Sequence, residues 1–265
     1  MKTMQRWVLV VGIGWILAGV STGMAANVMY LKNGQTIQAK TIQWREGAQE
    51  YRVEDVKTGS IIPIALAQVQ RLDIDKPADF ERVKGMVDGG QAEAAIPILQ
   101  KMMEDYKMLV WDNRARELLG KAYFQKRDYK KAGTILEELF KNALPGQITA
   151  ELRRFYWETL MLIPERQSSL KKDLEATISG GPRDLAAAAI LMRAELARSQ
   201  GQKEDALVDY LKVAVLFEDI PATHPEALYK AAEVLDEMRD PRAAELRKKL
   251  KAQYPGSTWA KKDVK

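Results

Sequence analysis

One small residue keeps returning at the head of a helical pattern. Ala95 in GGQAEAAIPILQKMM, Ala132 in KRDYKKAGTILEEL, Ala206 in SQGQKEDALVDYLKV and Ala244 in MRDPRAAELRKKL are separated by 37, 74 and 38 residues. The middle interval is twice the first. A further copy therefore belongs near Ser169, where PERQSSLKKDLEATI has a helical pattern of its own. A period of this length constrains the fold strongly, because a unit so short cannot bury its apolar face alone and must stack on its neighbours.

The segment around GKAYFQKRDYKKA, residues 120–132, shows the unit. Ala115, Leu118, Leu119, Ala122 and Tyr123 fall at i, i+3, i+4, i+7 and i+8, one apolar stripe of a helix. Lys126-Arg127-Asp128 interrupts the stripe, and Tyr129, Ala132, Leu136 and Leu139 begin a second. Gly120 and Ala132 are small enough to let the two helices approach closely. The pattern predicts five helical hairpins over residues 77–256, the third of them degenerate, with FYW at 155–157 departing most. Helix starts are expected at Asp240-Pro241, Thr223-His224-Pro225 and Gly181-Pro182. Pro97 conflicts with the pattern, since an interior proline costs about 3 kcal/mol, unless its helix starts close to Glu93.

These units resemble the tetratricopeptide repeat. In the second copy Leu119, Gly120, Tyr123, Ala132, Leu136 and Leu139 fall on that family's small and large packing positions, with Pro145 near its closing proline. This copy matches best; the first, fourth and fifth match in part. The ending LKAQYPGSTWAKK resembles the closing YP-x-S-x-x-A of tetratricopeptide proteins of the bacterial cell envelope. The resemblance implies a mainly α solenoid whose inner helices line a concave groove that holds a segment of a partner protein. Groove positions carried over are Arg114, Glu117, Lys121, Phe124 and Gln125 in the second copy. In the fifth they are Glu226, Tyr229, Glu233, Asp236 and Glu237. Phe124 and Tyr229 would be aromatic anchors, and the groove would run from mixed and basic to acidic. The family's carboxylate clamp for peptide C termini is not evident.

Residues 26–76 have a period near two instead. Asn33-Gly34 suits a two-residue hairpin turn, and Lys57-Thr58-Gly59-Ser60 suits a second. Val28, Tyr30, Ile37, Ala39 and Ile42 are expected to share a face, with a slip in the alternation near Lys40-Thr41. Four or five strands predict a small antiparallel β barrel or curled sheet. Through LKNGQTIQAK and VQRLDI it resembles the SH3-like and Sm-like small barrels.

Residues 1–25 read as an export signal. Lys2 and Arg6 precede an uncharged run of 14 residues, 7–20, and Gly23 and Ala25 suit cleavage after Ala25. The run is shorter than the roughly 20 residues of a membrane span. A periplasmic location is expected. The chain has no cysteine, which excludes disulfides, thiolate metal sites, a cysteine nucleophile and a lipobox anchor. Without residues 1–25 there are 39 basic and 36 acidic residues, a net +3. Residues 242–265 alone carry +6 and the body before them −3, so 257–265 reads as a basic tail on a slightly acidic body. Such a tail suits a solubilising end better than contact with anionic membrane or wall polymer. Nothing suggests nucleic-acid binding.

No constellation for catalysis stands out. His224, the only histidine, precedes a proline and suits a helix start better than a triad. Glu137-Glu138 diverge on a helix. Asp73, Asp75 and Asp79 lack the glycine turn and closing glutamate of a calcium loop, and no phosphate-cradling loop is present. Met86, Met102, Met103 and Met108 read as core filler. No cofactor or metal is expected. The chain reads as a non-catalytic adaptor of the cell envelope. The alternatives are a self-assembling, homo-oligomeric structural component of an envelope machine and, behind it, a subunit of a cell-wall enzyme.

Overall fold

The computed structural model describes residues 27–143 and 148–262. The expected export signal, Pro145 and residues 263–265 lie outside the described residues. The chain divides into two compact units at Asp75/Lys76.

The first unit is one antiparallel sheet of β1 (Asn27–Leu31), β2 (Thr36–Arg45), β3 (Glu50–Asp55), β4 (Ile61–Ala65) and β5 (Val69–Asp73), in the order β4-β3-β2-β1-β5. The sheet is open, so the barrel alternative is not adopted. A three-residue 3-10 turn, Leu66–Gln68, carries the chain away from β4 to pair with β1. Edge β4 contains Pro63, which has no N–H to offer a further strand.

Two local expectations are corrected. Met29, not Val28 or Tyr30, shares a face with Ile37 and Leu72, because Met29 pairs directly with both. Met29 and Leu31 are buried, while Tyr30 turns outward beneath the Arg71 guanidinium, 4.2 Å from its ring centre. The Asn33-Gly34 turn is longer than two residues. Leu31 N–H donates to Gln35 O at 2.9 Å, and only Gly34 has a positive φ, +85°. Asn33 supports the turn through its side chain, which accepts from Gln35 N–H at 3.0 Å. The slip near Lys40 is a β-bulge: the register shifts between Ala39 and Thr41, so both Ala39 and Ile42 reach the buried face.

The second unit is helical, a tetratricopeptide-like array. Its helices are α1 (Phe80–Asp88), α2 (Ala92–Asp105), α3 (Trp111–Gln125), α4 (Tyr129–Asn142), α5 (Ala150–Met161), α6 (Gln167–Gly180), α7 (Arg183–Ser199), α8 (Lys203–Leu216), α9 (His224–Glu237), α10 (Arg242–Gln253) and α11 (Thr258–Lys262). Odd and even helices pair as successive hairpins through α10. Asp128 caps α4 by accepting from Lys131 N–H, Thr149 caps α5 through Leu152 N–H, and Asp240 accepts from Arg242 N–H at the head of α10. Thr223 makes no such cap; its hydroxyl is buried without a partner. α2 starts at Ala92 and runs through Pro97. Pro97 and Glu93, whose carbonyl the proline leaves free, are both exposed, so water can satisfy that carbonyl.

The periodic small residue sits where helices touch. Ala95, Ala132 and Ala206 are fully buried, but in α10 the buried residue is Ala243, and Ala244 faces solvent. The interval from Ala206 is therefore 37, equal to the first. In the third hairpin Leu170 is buried and Ser169 exposed, so a large side chain replaces the small one there. At Gly120 α3 and α4 approach closely: a Cβ on it would lie 2.8 Å from Leu136 Cδ2 and 2.9 Å from Cγ. Leu136 is fully buried, so any shift of its side chain would press on its own packed neighbours.

Gly120→Ala is accordingly expected to destabilise the protein by about 1–3 kcal/mol through overpacking, read by urea unfolding. Combined with Leu136→Ala, it should cost less than the two single changes summed, because the new methyl group occupies space that Leu136 vacates.

Candidate functional site

The residues carried over as groove positions separate into two sets with different surroundings. Those on α9 are engaged within the fold. Glu226 is buried, its side chain 6% exposed, and accepts both terminal nitrogens of Arg154 at 2.6 and 2.7 Å. Arg154 lies on α5, so this bridge joins first helices two hairpins apart. Glu158 takes the remaining nitrogen at 3.2 Å. Burial works against the Arg154 charge, but Glu226 and Glu158 outweigh it and hold the proton more firmly than usual.

Further bridges tie α9 to its neighbours. Arg198 of α7 reaches Glu233 at 3.1 Å and Glu237 at 2.6 Å, and Lys203 also reaches Glu237 at 2.7 Å. Lys230 meets Glu195 of α7 at 3.1 Å, and the same carboxylate accepts from the Tyr210 hydroxyl at 2.7 Å. Burial and the adjacent Glu195 charge push the Tyr210 phenol up. Asp236 pairs with Arg247 of α10, and Tyr229 packs on Trp259 of α11 with ring centres 5.3 Å apart. The acidic end of the expected groove is thus a set of inter-helix ties, and Glu226 in particular is withdrawn from any partner.

The α3 set is different. Glu117 pairs with Lys121 at 2.7 Å and Arg114 at 3.6 Å, both on its own helix. The side chains of Arg114 and Lys121 remain 48% and 39% exposed. Phe124 is half-buried in an edge-to-face cluster, 5.2 Å from both Tyr129 and Phe155. Gln125 donates to Val87 O at 2.8 Å, completing the end of α1. Arg114, Glu117, Lys121 and the rim of Phe124 therefore form one accessible stripe, with Phe155 of α5 beside it. Phe155 sits in the FYW segment that departs from the repeat pattern. Arg154 went unrecognised because its partner lies 72 residues away and no local pattern signals a contact of that range.

His224 opens α9 and is wholly buried. Its Nε2–H donates to Ala214 O at 3.1 Å, which leaves Nδ1 to accept from the Tyr254 hydroxyl at 2.9 Å. That hydroxyl belongs to the YP-x-S-x-x-A ending, whose other parts also have structural work. Ser257 Oγ accepts from Ala260 N–H, and Ala260 is buried in the core shared by α7–α11. Residues 257–262 are therefore not a loose tail. Several basic residues nearby are also engaged: Lys249 with Glu218 at 2.8 Å, and Lys262 over the Trp259 ring at 4.2 Å. Among the described residues no group of three metal-ligating side chains occurs, and no helix is long and apolar enough to cross a membrane.

Residues 226–257, α9 through the turn after α10, match the tetratricopeptide repeat family. The match falls on the fifth hairpin rather than the second. Among solved structures, a singly substituted form of the nearly identical TPR-like repeats from Podosopora anserina, designated a kinesin light chain, is 14% identical. It aligns over 66% of this chain and 92% of its own, with a TM-score of 0.50, a likeness of fold. YrrB, described as a TPR protein with an unusual peptide-binding site, is 16% identical over 72% of this chain and 92% of its own, with a TM-score of 0.43. No curated protein matches the sequence.

Burial lowers the affinity of His224 for a proton, and nearby Lys249 adds to this against the Ala214 carbonyl and Glu218. The unfolded ring takes up a proton near its ordinary value of about 6.5. Its contribution to stability is complete above that pH and is lost as pH falls below it toward the depressed folded value. Urea midpoints of the natural protein are expected to drop from neutral pH to about pH 5, and His224→Gln should flatten that slope.

Proposed function

We propose that this chain is a non-catalytic, exported scaffold of the bacterial cell envelope that holds a segment of a partner protein on the accessible face of α3. The observation that carries this reading is the contrast between the two ends of the first-helix surface. Ion pairs from α5 and α7 fill it at α9, while among the described residues the charge partners of the α3 stripe lie on its own helix. A stack of hairpins presents such a stripe pre-formed, so a bound segment need not wait for the receptor to order. Phe124, backed by Tyr129 and Phe155, is the apolar anchor; Arg114, Glu117 and Lys121 supply polar recognition.

The envelope setting rests on the basic and apolar character of residues 1–25 and on the YP-x-S-x-x-A ending. The Tyr254 and Ser257 contacts support a packing role for that ending. The N-terminal sheet unit is assigned a second contact or a cap on the array. Self-association is the competing reading, and the same experiment separates them.

Affinity purification from native envelopes with the natural chain and with Phe124→Ala, followed by quantitative mass spectrometry, is expected to show one foreign protein depleted about tenfold with the variant. Tyr229→Ala should not deplete it, because Tyr229 is covered by Trp259. Recovery of this chain alone, through tagged and untagged copies, would replace the adaptor with a self-assembling component.

A further inference from the structure

The opposite face of α3 carries a second surface. Arg116, Leu119 and Tyr123 lie about 150° around the helix from the Arg114–Glu117–Lys121 stripe, at 100° per residue. They floor a hollow of about 730 Å³ walled by α2 and α4, the second helices of consecutive hairpins. Met103 and Ile135 complete an apolar base in which Leu119 is buried and the others are half-buried.

The charges around this base are mostly of one sign: Lys107, Arg116, Lys130 and Lys131 against Glu104. Arg116 is the deepest, its side chain 13% exposed, with Nη1 on Asp112 at 3.3 Å and Asn113 at 3.1 Å. Its Nε is buried with no hydrogen-bond partner. Lys130 pairs with Glu165 and Lys131 with Asp128, but the two lysine side chains are 74% and 63% exposed. Pairs so exposed are worth little and exchange readily for an incoming carboxylate. A smaller hollow of about 260 Å³ on the far side of α4 shares Lys130 and Thr134 and adds Gly133, Ile163, Glu165 and Arg166, with Glu165 paired to Lys130 and Arg166 to Glu137. The two hollows together make a track across α4 rather than a closed pocket.

We propose that this track binds an extended acidic segment of a partner protein, carboxylates on the rim cations and apolar side chains on Leu119, Tyr123 and Ile135. Charge complementarity selects the acid, and the apolar base selects a peptide over a polyanion, which brings charge but nothing to cover Ile135. The proposal rests on the scaffold reading for its class of ligand, but it uses a different surface from the α3 stripe.

The test is selection of phage-displayed random dodecapeptides on the full chain, followed by fluorescence-polarisation titration of the enriched sequences, with dextran sulfate as a competing polyanion. Enriched peptides are expected to interleave Asp or Glu with large apolar residues. Lys107→Glu/Lys131→Glu should weaken them about tenfold, Ile135→Ser should weaken them too, and Lys248→Glu, a charge reversal on the exposed face of α10 away from both surfaces, should change affinity less than about twofold. Far-UV circular dichroism and melting temperature check that each variant folds. Failure to enrich any peptide, enrichment without an acidic bias, or binding indifferent to the double charge reversal overturns the proposal. So does displacement by dextran sulfate with no effect of Ile135→Ser, which means a general polyanion surface. If any of these occurs while Phe124→Ala still depletes a partner from envelopes, the scaffold reading stands and only the track falls.

Discussion

A two-helix hairpin has two apolar stripes and can hide only part of them within itself, so it is stable only with another hairpin on top. Most of what is distinctive in this protein follows from how that stacking is achieved. Where helices must come close the sequence supplies Gly120, Ala95, Ala132, Ala206 and Ala243, and Leu136 fills the space that Gly120 leaves. Where the repeat lacks its small residue, at Leu170, the surroundings change as well. Trp157 is completely buried, its indole N–H held by Asp173 at 2.6 Å, and the third hairpin packs through large side chains.

Stacking then divides the first-helix surface by charge. In the C-terminal half Arg154 and Arg198 reach across to α9, and His224 with Tyr254 fixes the start of the same helix. A bidentate arginine–carboxylate pair with one member buried loses more when broken than it gained when formed, so it serves to hold a geometry more than to add stability. At α3, among the described residues, the ion pairs of Glu117 stay within the helix, and the tie to α1 is the neutral Gln125–Val87 hydrogen bond. A rigid half that carries an accessible half is a reasonable physical basis for a scaffold.

Much of this was legible in the sequence because it is periodic. The helical hairpins, the close approach at Gly120 and the irregularity near Lys40 are all local patterns, and each has a counterpart in the structure. Errors arose where a one-residue choice was energetically silent. Ala243 and Ala244 are chemically identical, and only the packing tells which faces in. Val28 and Tyr30 alternate as well as Met29 and Leu31 do, and the pairing of Met29 with Ile37 and Leu72 decides between them. The candidate site was legible as positions but not as states. Glu226 and Lys121 are both charged residues on first helices, yet one is sealed by an arginine 72 residues away and the other is open. The docking of residues 257–262 depends on Ala260 and Trp259 finding α9, a contact hidden within a stretch that otherwise reads as basic and polar.

On this physical picture α5, α7 and α9 form one cross-tied body while the hairpin of α3 and α4 opens independently. Native-state hydrogen exchange, resolved by helix, tests this most directly. Amides of α5 and α9 are expected to share one opening free energy, and Arg154→Ala to lower both together. Those of α3 and α4 should exchange through a separate, smaller opening left unchanged by that substitution. Exchange in which α9 opens on its own, with α5 indifferent to the loss of Arg154, would contradict it.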